Sequence, residues 1–521
     1  MEQYKKPIMR NNCYLFILLL IALGSFAPAA QAQDTVLNLS FKSRVDSIKS
    51  TILNQKRLIQ VFTPSGYKPG SSETYDVMYV LDGGNWNTGL ITRVQQFVQG
   101  EGYVPQIIIV SILGIDRNKD LTPTHLQNWT TSGGGDNFLR FIKEELIPYV
   151  NKTYPSSGDN TLWGHSLGGM FVTYAMLKEP ATFKSYIAVD PSIWWDKCYV
   201  AKMAASRLSA MAGLNATLYV SGRDEAGMKD MKVDTLDVVL KSHAPAGLHW
   251  KVVSYPGESH SSVRLKTTYD GLRFTYAGLV GNIEFHPMNG MVLKDKPIKL
   301  WYFEDTTDVH YTTDGTTPTR HAPQVQREIT LAQGGKVTYT RFTQRSRHDK
   351  SSSGNFTIST PLSPARKPKN LVAGGFQYSY YEGDWDTWPT LSGVKPNKTG
   401  TIESNVDVLD QLPRKKDYAL VVEGYLEATE EGYYIFLLQG DKGTKFYLGN
   451  RLLMQWDGGY TRMNDSYVVP LQKGLYPIRI EYLHKKEDFK LRLSYLTPSR
   501  ISTKDPQPMP IPASAQYRQR P

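Results

Sequence analysis

Between about Lys42 and Gly281 the chain alternates short apolar, β-branched runs with stretches of helical spacing. That alternation limits the fold more than any other feature. The runs are Leu58–Phe62, Asp76–Leu81, Ile107–Ile112, Thr161–Gly164, Ser185–Val189, Ala216–Val220 and His249–Tyr255. Helical spacing lies between them over Asp136–Asn151, Met170–Leu177 and Met228–Lys241. In the first of these, Phe138, Leu139, Ile142, Leu146 and Val150 recur on one side, and Pro148 is expected to kink or shorten the last turn. Apolar strands separated by helices predict an α/β domain with a mainly parallel sheet covered on both faces.

After Gly281 helical periodicity stops, and short strands with Gly, Asn, Asp and Thr turns take over. Ile298–Phe303, His310–Thr313 and Lys336–Phe342 predict a small β-sandwich over 281–360. The Pro- and Lys-rich stretch 361–370 reads as a stiff polar linker. A second, aromatic-rich β-sandwich is expected over 371–497, and 498–521 reads as a poorly ordered tail.

The first 32 residues carry Lys5, Lys6 and Arg10 ahead of an apolar run, Cys13–Leu23, with Ala30-Gln31-Ala32 as a small-residue cleavage site. This is the pattern of a secretory signal peptide, so the mature protein is expected outside the cytoplasm, secreted or periplasmic. The run is too short to span a bilayer, and no later segment is long and apolar enough, so no membrane span is expected. Only Cys198 follows the cleavage site, which leaves no internal disulfide, and the lack of cysteine clusters removes zinc-finger and iron–sulfur readings. The net charge of +11 is spread among acids without a run or stripe, which reads as a solvated surface and excludes a nucleic-acid partner.

The sequence Thr161-Leu-Trp-Gly-His-Ser-Leu-Gly-Gly169 places Ser166 between glycines, directly after an apolar strand and directly before a helix. A serine hydroxyl needs a base to become a nucleophile, and a tight strand-to-helix turn exposes it. The following helix points its N-terminus at a developing oxyanion, with the Leu167 amide as a donor. An acid is expected after a later strand. Ala216–Gly222 is followed by Arg223-Asp224-Glu225, where either carboxylate could serve, or could merely pair with Arg223 or cap the next helix. The histidine is expected after the last strand, and His260 in Pro256-Gly-Glu-Ser-His-Ser-Ser262 has that place. Serine, acid, histidine is the order that an α/β-hydrolase topology requires. A second oxyanion donor is expected from Asp82-Gly-Gly-Asn-Trp86, with the Asn85 amide the candidate. The alternative for Asn85 is a helix N-cap.

Six separated stretches, "VMYVLDGG", "GIDRNKDLTPT", "FIKEELIPYV", "GHSLGGMFVTYAM", "DPSIWW" and "GESHSSV…YDGLRF", together resemble the esterase branch of the α/β-hydrolases. That branch includes ferric-siderophore esterases, feruloyl and acetyl-xylan esterases, esterase D and the mycolyltransferases. The resemblance covers about 55–277 and implies a serine hydrolase of carboxylic esters that uses no metal and no cofactor. It selects Glu225 over Asp224 as the acid, three residues beyond the glycine that ends its strand. "DPSIWWD" is similar to the family's Ser-Pro-Ser-x-Trp-Trp stretch, which makes Trp194 and Trp195, with Trp86, candidate pocket residues. "VHYTTDGTTPTR" resembles the small immunoglobulin-like domain at the C-terminus of chitobiases. The region 371–495 resembles the β-sandwich of the protective-antigen type, often carbohydrate-binding. In that module Trp385, Trp388, Trp456 and Tyr460 read as buried core aromatics, with stacking on a sugar ring the alternative. The single acid in Gly440-Asp-Lys-Gly443 argues against calcium-dependent binding.

The reading that follows is an exported serine esterase whose substrate is an ester attached to a glycan, carrying feruloyl or acetyl groups, with a carbohydrate as ligand of the C-terminal module. The alternatives are a ferric-siderophore trilactone esterase and, of another class, a non-catalytic glycan-binding protein with a hydrolase-like core.

Overall fold

The computed structural model describes residues 42–520 apart from 66, 71, 280–282, 303–307, 403–411, 441–442, 457–462 and 486–490. The leader read from the first 32 residues, Tyr460 and the acid of the Gly440–Gly443 turn lie outside the described residues, as does the side chain of Trp456.

The N-terminal unit is built on eight strands: β1 (Lys42–Ser50), β2 (Gln55–Thr63), β3 (Tyr75–Val80), β4 (Ile107–Ile112), β5 (Ser156–His165), β6 (Ser185–Val189), β7 (Ala216–Gly222) and β8 (Leu248–Ser254). They pair in the order β1-β2-β4-β3-β5-β6-β7-β8. The β1–β2 and β2–β4 pairs are antiparallel and the rest parallel. Strands β3, β4, β6 and β7 are buried along their whole length, as unbroken apolar runs flanked by helices demand. Alternation along β3 sends Val77 and Tyr79 into one core and Met78 and Val80 into the other. The helices are α1 (Thr88–Gly100), α2 (Arg117–Asp120), α3 (Gly135–Phe141), α4 (Ile147–Thr153), α5 (Leu167–Lys178), α6 (Trp195–Arg207), α7 (Glu225–Asp230), α8 (Val233–His243) and α9 (Val263–Thr275). Helix α5 is buried from Leu167 to Leu177 and carries the centre of the larger core.

Pro148 neither kinks nor ends its helix. A π turn over Ile142–Leu146 joins α3 to α4, with the Ile147 amide donating to Ile142 O. The wider turn absorbs the amide that proline lacks, so the rod runs on to Thr153.

The C-terminal half departs further from expectation. Strands β10 (Asn289–Leu293) and β15 (Lys350–Ser359) of the middle segment, and β20 (Gly432–Gly440), β23 (Met463–Leu471) and β25 (Arg492–Leu496) of the last segment, belong to one eight-stranded sheet. The join is a parallel pairing of Asn289 with Tyr467 and Gly290 with Val468. A β-carbon on Gly290 would lie 2.2 Å from Val468 Cγ1, so only glycine lets the strands meet there. The two β-rich units, each with its own apolar core, therefore share one sheet rather than being joined by a linker alone, and the stretch 361–370 packs along it through Leu362 N donating to Pro470 O. Nor is 498–521 a loose tail: β27 (Gln516–Gln519) pairs with β19 (Tyr418–Ala428) and with β16 (Leu371–Ala373).

Arg345 fixes the middle segment to the amino-terminal end of the hydrolase sheet. Its guanidinium, 4 % exposed, pairs with Asp159 and donates to Thr161 Oγ1 and Ser185 Oγ. Beside it the fully buried Asp76 accepts from Arg347, His348 and Tyr276. The opposite, carboxyl-terminal end of the sheet is left open for chemistry.

Candidate active site

Three neighbouring strands end in a polar residue forced into the left-handed region: Asp82 after β3 (φ 51°), Ser166 after β5 (φ 61°, ψ −117°) and Asp190 after β6 (φ 38°). Non-glycine residues hold such angles only where the surroundings impose them. At Ser166 the imposition is visible. Its amide donates to Val189 O at 2.9 Å, and its carbonyl accepts from Ser192 N and Met170 N, both at 3.0 Å. The turn also needs close approach: a β-carbon on Gly164 would lie 2.4 Å from Gly168 O. The strand–turn–helix context read from the sequence thus raises Ser166 at the end of the sheet.

His260 stands in the loop between β8 and α9. Its Nδ1 is 2.6 Å from Asp190 Oδ2, and the Asp190 side chain is fully buried. Nδ1 therefore carries the hydrogen, which leaves Nε2 as the basic nitrogen. The rings of His260 and His165 are 4.4 Å apart, which brings His260 beside the residue preceding Ser166. Among the described residues the Ser166 hydroxyl pairs with Ser192 Oγ at 3.2 Å.

The carboxylates expected to face His260 do not. Glu225 is 84 % exposed on the first turn of α7 and pairs with Lys229 one turn on. Asp224 caps that helix, accepting from Gly227 N at 2.8 Å. Arg223, from the same loop, instead donates its Nε to Asp190 Oδ2 at 2.9 Å. The acid partner is thus Asp190, one strand nearer the nucleophile. Its signal was the one departure of "DPSIWW" from the family's Ser-Pro-Ser pattern, an acid directly at the end of a predicted strand.

A cleft of about 430 Å³ opens over Ser166, lined also by Arg117, Trp129, Ser192 and Trp194. Trp195 is fully buried beneath it, donating its indole N–H to Thr124 Oγ1 and packed edge-on against Trp129. Asn85 and Trp86 line a separate groove with Arg264 and Leu265, not the Ser166 cleft. The Asn85 side chain does not cap α1; Asn87 is the N-cap residue, and its amide donates to Asp82 O. In the same turn the Gly83 and Gly84 amides are committed to Ile112 O and Thr88 Oγ1. The Asp82 amide has no partner among the described residues. The Leu167 amide is the first of α5, where no intrahelical acceptor exists.

Charge around the cleft is arranged by burial. Burial of His165, reinforced by its neighbour His260, lowers its pKa to about 3, so it is neutral at ordinary pH. Its Nε2 donates to the His260 carbonyl. Burial raises the pKa of Asp82, and Arg117 opposes that rise, donating to Asp82 Oδ1 at 3.1 Å and to His165 O at 3.2 Å. Arginine, aspartate and the backbone before Ser166 are thereby tied together.

The family described as "Putative esterase" matches residues 50–261, "PA14 domain" matches 374–508, and "Fn3 associated" matches 298–356. Ferri-bacillibactin esterase BesA of Bacillus subtilis is 28 % identical over 249 residues, 42 % of this chain and 86 % of that protein. A siderophore enterobactin esterase of Emericella nidulans is 41 % identical over 167 residues, 27 % of this chain and 54 % of that protein. A siderophore triacetylfusarinine C esterase of Aspergillus fumigatus is 30 % identical over 183 residues, 30 % of this chain and 63 % of that protein. Residues 50–261 thus match the esterase family, and the chain is an α/β-hydrolase that acts as a carboxylic ester hydrolase.

Proposed function

We propose that this esterase cleaves the ester bonds of siderophores through an acyl-enzyme formed on Ser166. The observation that carries the mechanism is the contact of His260 Nδ1 with the buried Asp190 beside the Ser166 turn. The hydroxyl leaves Ser192 for His260 Nε2, loses its proton there and attacks the ester carbonyl. Asp190 stabilises the imidazolium that forms. The Leu167 amide, with the Asp82 amide in place of Asn85, holds the developing oxyanion. His260 then returns the proton to the leaving alcohol, and water releases the acyl group by the same steps in reverse.

The substrate class is supported by three relatives named for siderophore esterase activity. The cleft agrees chemically: Trp129 and Trp194 offer aromatic faces, and Arg117 offers a cation to an electron-rich or anionic aryl group. A second reading, feruloyl or acetyl esters on a polysaccharide, is favoured by the match to the PA14 domain. In that reading the C-terminal half grips a carbohydrate. The basic and apolar segment before residue 33 supports action outside the cytoplasm.

Parallel assays on a catecholate trilactone with and without iron, a ferric hydroxamate ester, feruloylated arabinoxylan and acetylated xylan decide between them. The siderophore reading expects at least about tenfold higher kcat/KM on a siderophore ester than on either glycan ester. The reverse order overturns it. Ser166→Ala is expected to abolish turnover and fluorophosphonate labelling alike.

A further inference from the structure

Arg223 follows β7 at the place where sequence reasoning expects the acid, and supplies a cation instead. Its Nε donates to Asp190 Oδ2, the oxygen that also accepts from His260 Nδ1; the distances are 2.9 and 2.6 Å. The carboxylate is completely buried, while the arginine side chain is 24 % exposed. The arginine is held at both ends. Its carbonyl accepts from Tyr255 N and from Ser254 Oγ at the end of β8. Its side chain lies across the first turn of α7, where a β-carbon on Gly227 would fall 2.8 Å from Arg223 Cβ and 2.9 Å from Nε. Gly227 thus keeps open the slot through which the guanidinium reaches Asp190.

We infer that Arg223 is a positioning residue that acts through Asp190 and sets the pH at which His260 becomes a base. The inference rests on the Ser166–His260–Asp190 reading. A buried carboxylate alone against an imidazole would hold on to the imidazolium and keep the base protonated. The guanidinium on the same oxygen offsets that charge, so the imidazole is free to accept the serine proton, while the hydrogen bond to Asp190 still orients it. The other charged groups around His260 do not duplicate this role. His165 on β5 is held neutral. Glu258, in the same loop, is paired with Lys266. Arg264 on α9 donates to Asn87, and Arg117 is tied to Asp82. Among the described residues, Arg223 is the one cation that hydrogen-bonds to the carboxylate alongside His260.

The test is the pH dependence of kcat/KM on a small neutral ester, using the full chain. Arg223→Gln should move the acidic limb upward by about one pH unit, the size expected for removing one partly screened charge at this range. Gly227→Ala, which leaves Arg223 in the sequence but fills its slot, should move the limb in the same direction by less. Arg223→Lys keeps the charge and should hold the limb within about a third of a unit. A limb that stays put or moves down in Arg223→Gln, with only a lower plateau, overturns the inference and leaves Arg223 a structural contact. Fluorophosphonate labelling of Ser166 reports folding in each variant, and Gly227→Ala and Arg223→Lys carry the test if Arg223→Gln fails to fold. Full turnover by Asp190→Asn would instead remove the triad reading itself. An inactive Asp190→Asn beside an unmoved limb in Arg223→Gln would sink the role of Arg223 alone.

Discussion

His165 donates its Nε2 hydrogen to the carbonyl oxygen of His260 across 2.6 Å. The residue before Ser166 therefore holds the backbone of His260, and two elements of the proposed triad are tied to each other. His165→Gln keeps a donor at nearly the same place and should retain most activity. His165→Ala loses it and should lower kcat by about tenfold, the worth of roughly one hydrogen bond. Steady-state kinetics on a small ester separates the two.

The depressed pKa of His165 also has a consequence for stability. The folded value, about 3, lies below the ordinary histidine value, so the unfolded chain binds the extra proton between them. The contribution of His165 is thus full above about pH 6.5 and is lost as the pH falls toward 3. His165→Gln should flatten the decline of the melting temperature over that window. An identical decline in wild type and variant would show that burial of His165 does not govern it.

Two carboxylates are available near β7 and one at β6, and their variants should differ sharply. Asp190→Asn is expected to reduce kcat/KM by about 10³-fold, through loss of the tautomer and of support for the imidazolium. Glu225→Gln and Asp224→Asn should change it less than about threefold, since one carboxylate faces solvent and the other caps a helix. Strong loss in Glu225→Gln with an active Asp190→Asn would reverse the assignment.

At the other end of the sheet, Asp159→Asn removes the carboxylate that pairs directly with the buried Arg345 guanidinium and leaves Asp76 beside it. Removing one partner of a buried pair should cost about 3 kcal/mol. Differential scanning calorimetry should show a clearly lower melting temperature, whereas kcat at a temperature where the variant is folded should stay within about twofold.

Gly290→Val tests the join within the large β-sheet. The new side chain would overlap Val468, and such overpacking should cost about 2 kcal/mol or more. Limited proteolysis should then open the C-terminal half before the hydrolase. Unchanged stability would mean that the two strands part without cost.

Seven of the eight hydrolase strands, the serine turn and the loop position of His260 were legible, because each depends on local pattern: apolar runs, flanking glycines and a loop after the last strand. Strand β1 (Lys42–Ser50), mostly exposed and polar, carries no such run. The acid was not. Asp190 and Asp224 follow adjacent strands, and spacing along the chain cannot tell which strand end leans toward the histidine. Glu225 was selected on resemblance, but the neighbouring Lys229 at helical spacing already offered it a partner on an exposed turn. The fused β-sheet was out of reach for a different reason. Its join pairs Gly290 with Val468, far apart in sequence, and a glycine in a short strand gives no sign of what approaches it. Pro148 misled because proline is read against an α-helix, and a π turn obeys a different register.

Because one sheet is woven from both accessory segments, the chain offers no clean place to cut between residues 360 and 370. Severing it there would strand β10 and β15 with an unsatisfied edge, an invitation to aggregate. Arg345 holds the middle segment to the catalytic domain through buried hydrogen bonds, so the accessory sheet is clamped to the hydrolase like a jig, not hung on a tether.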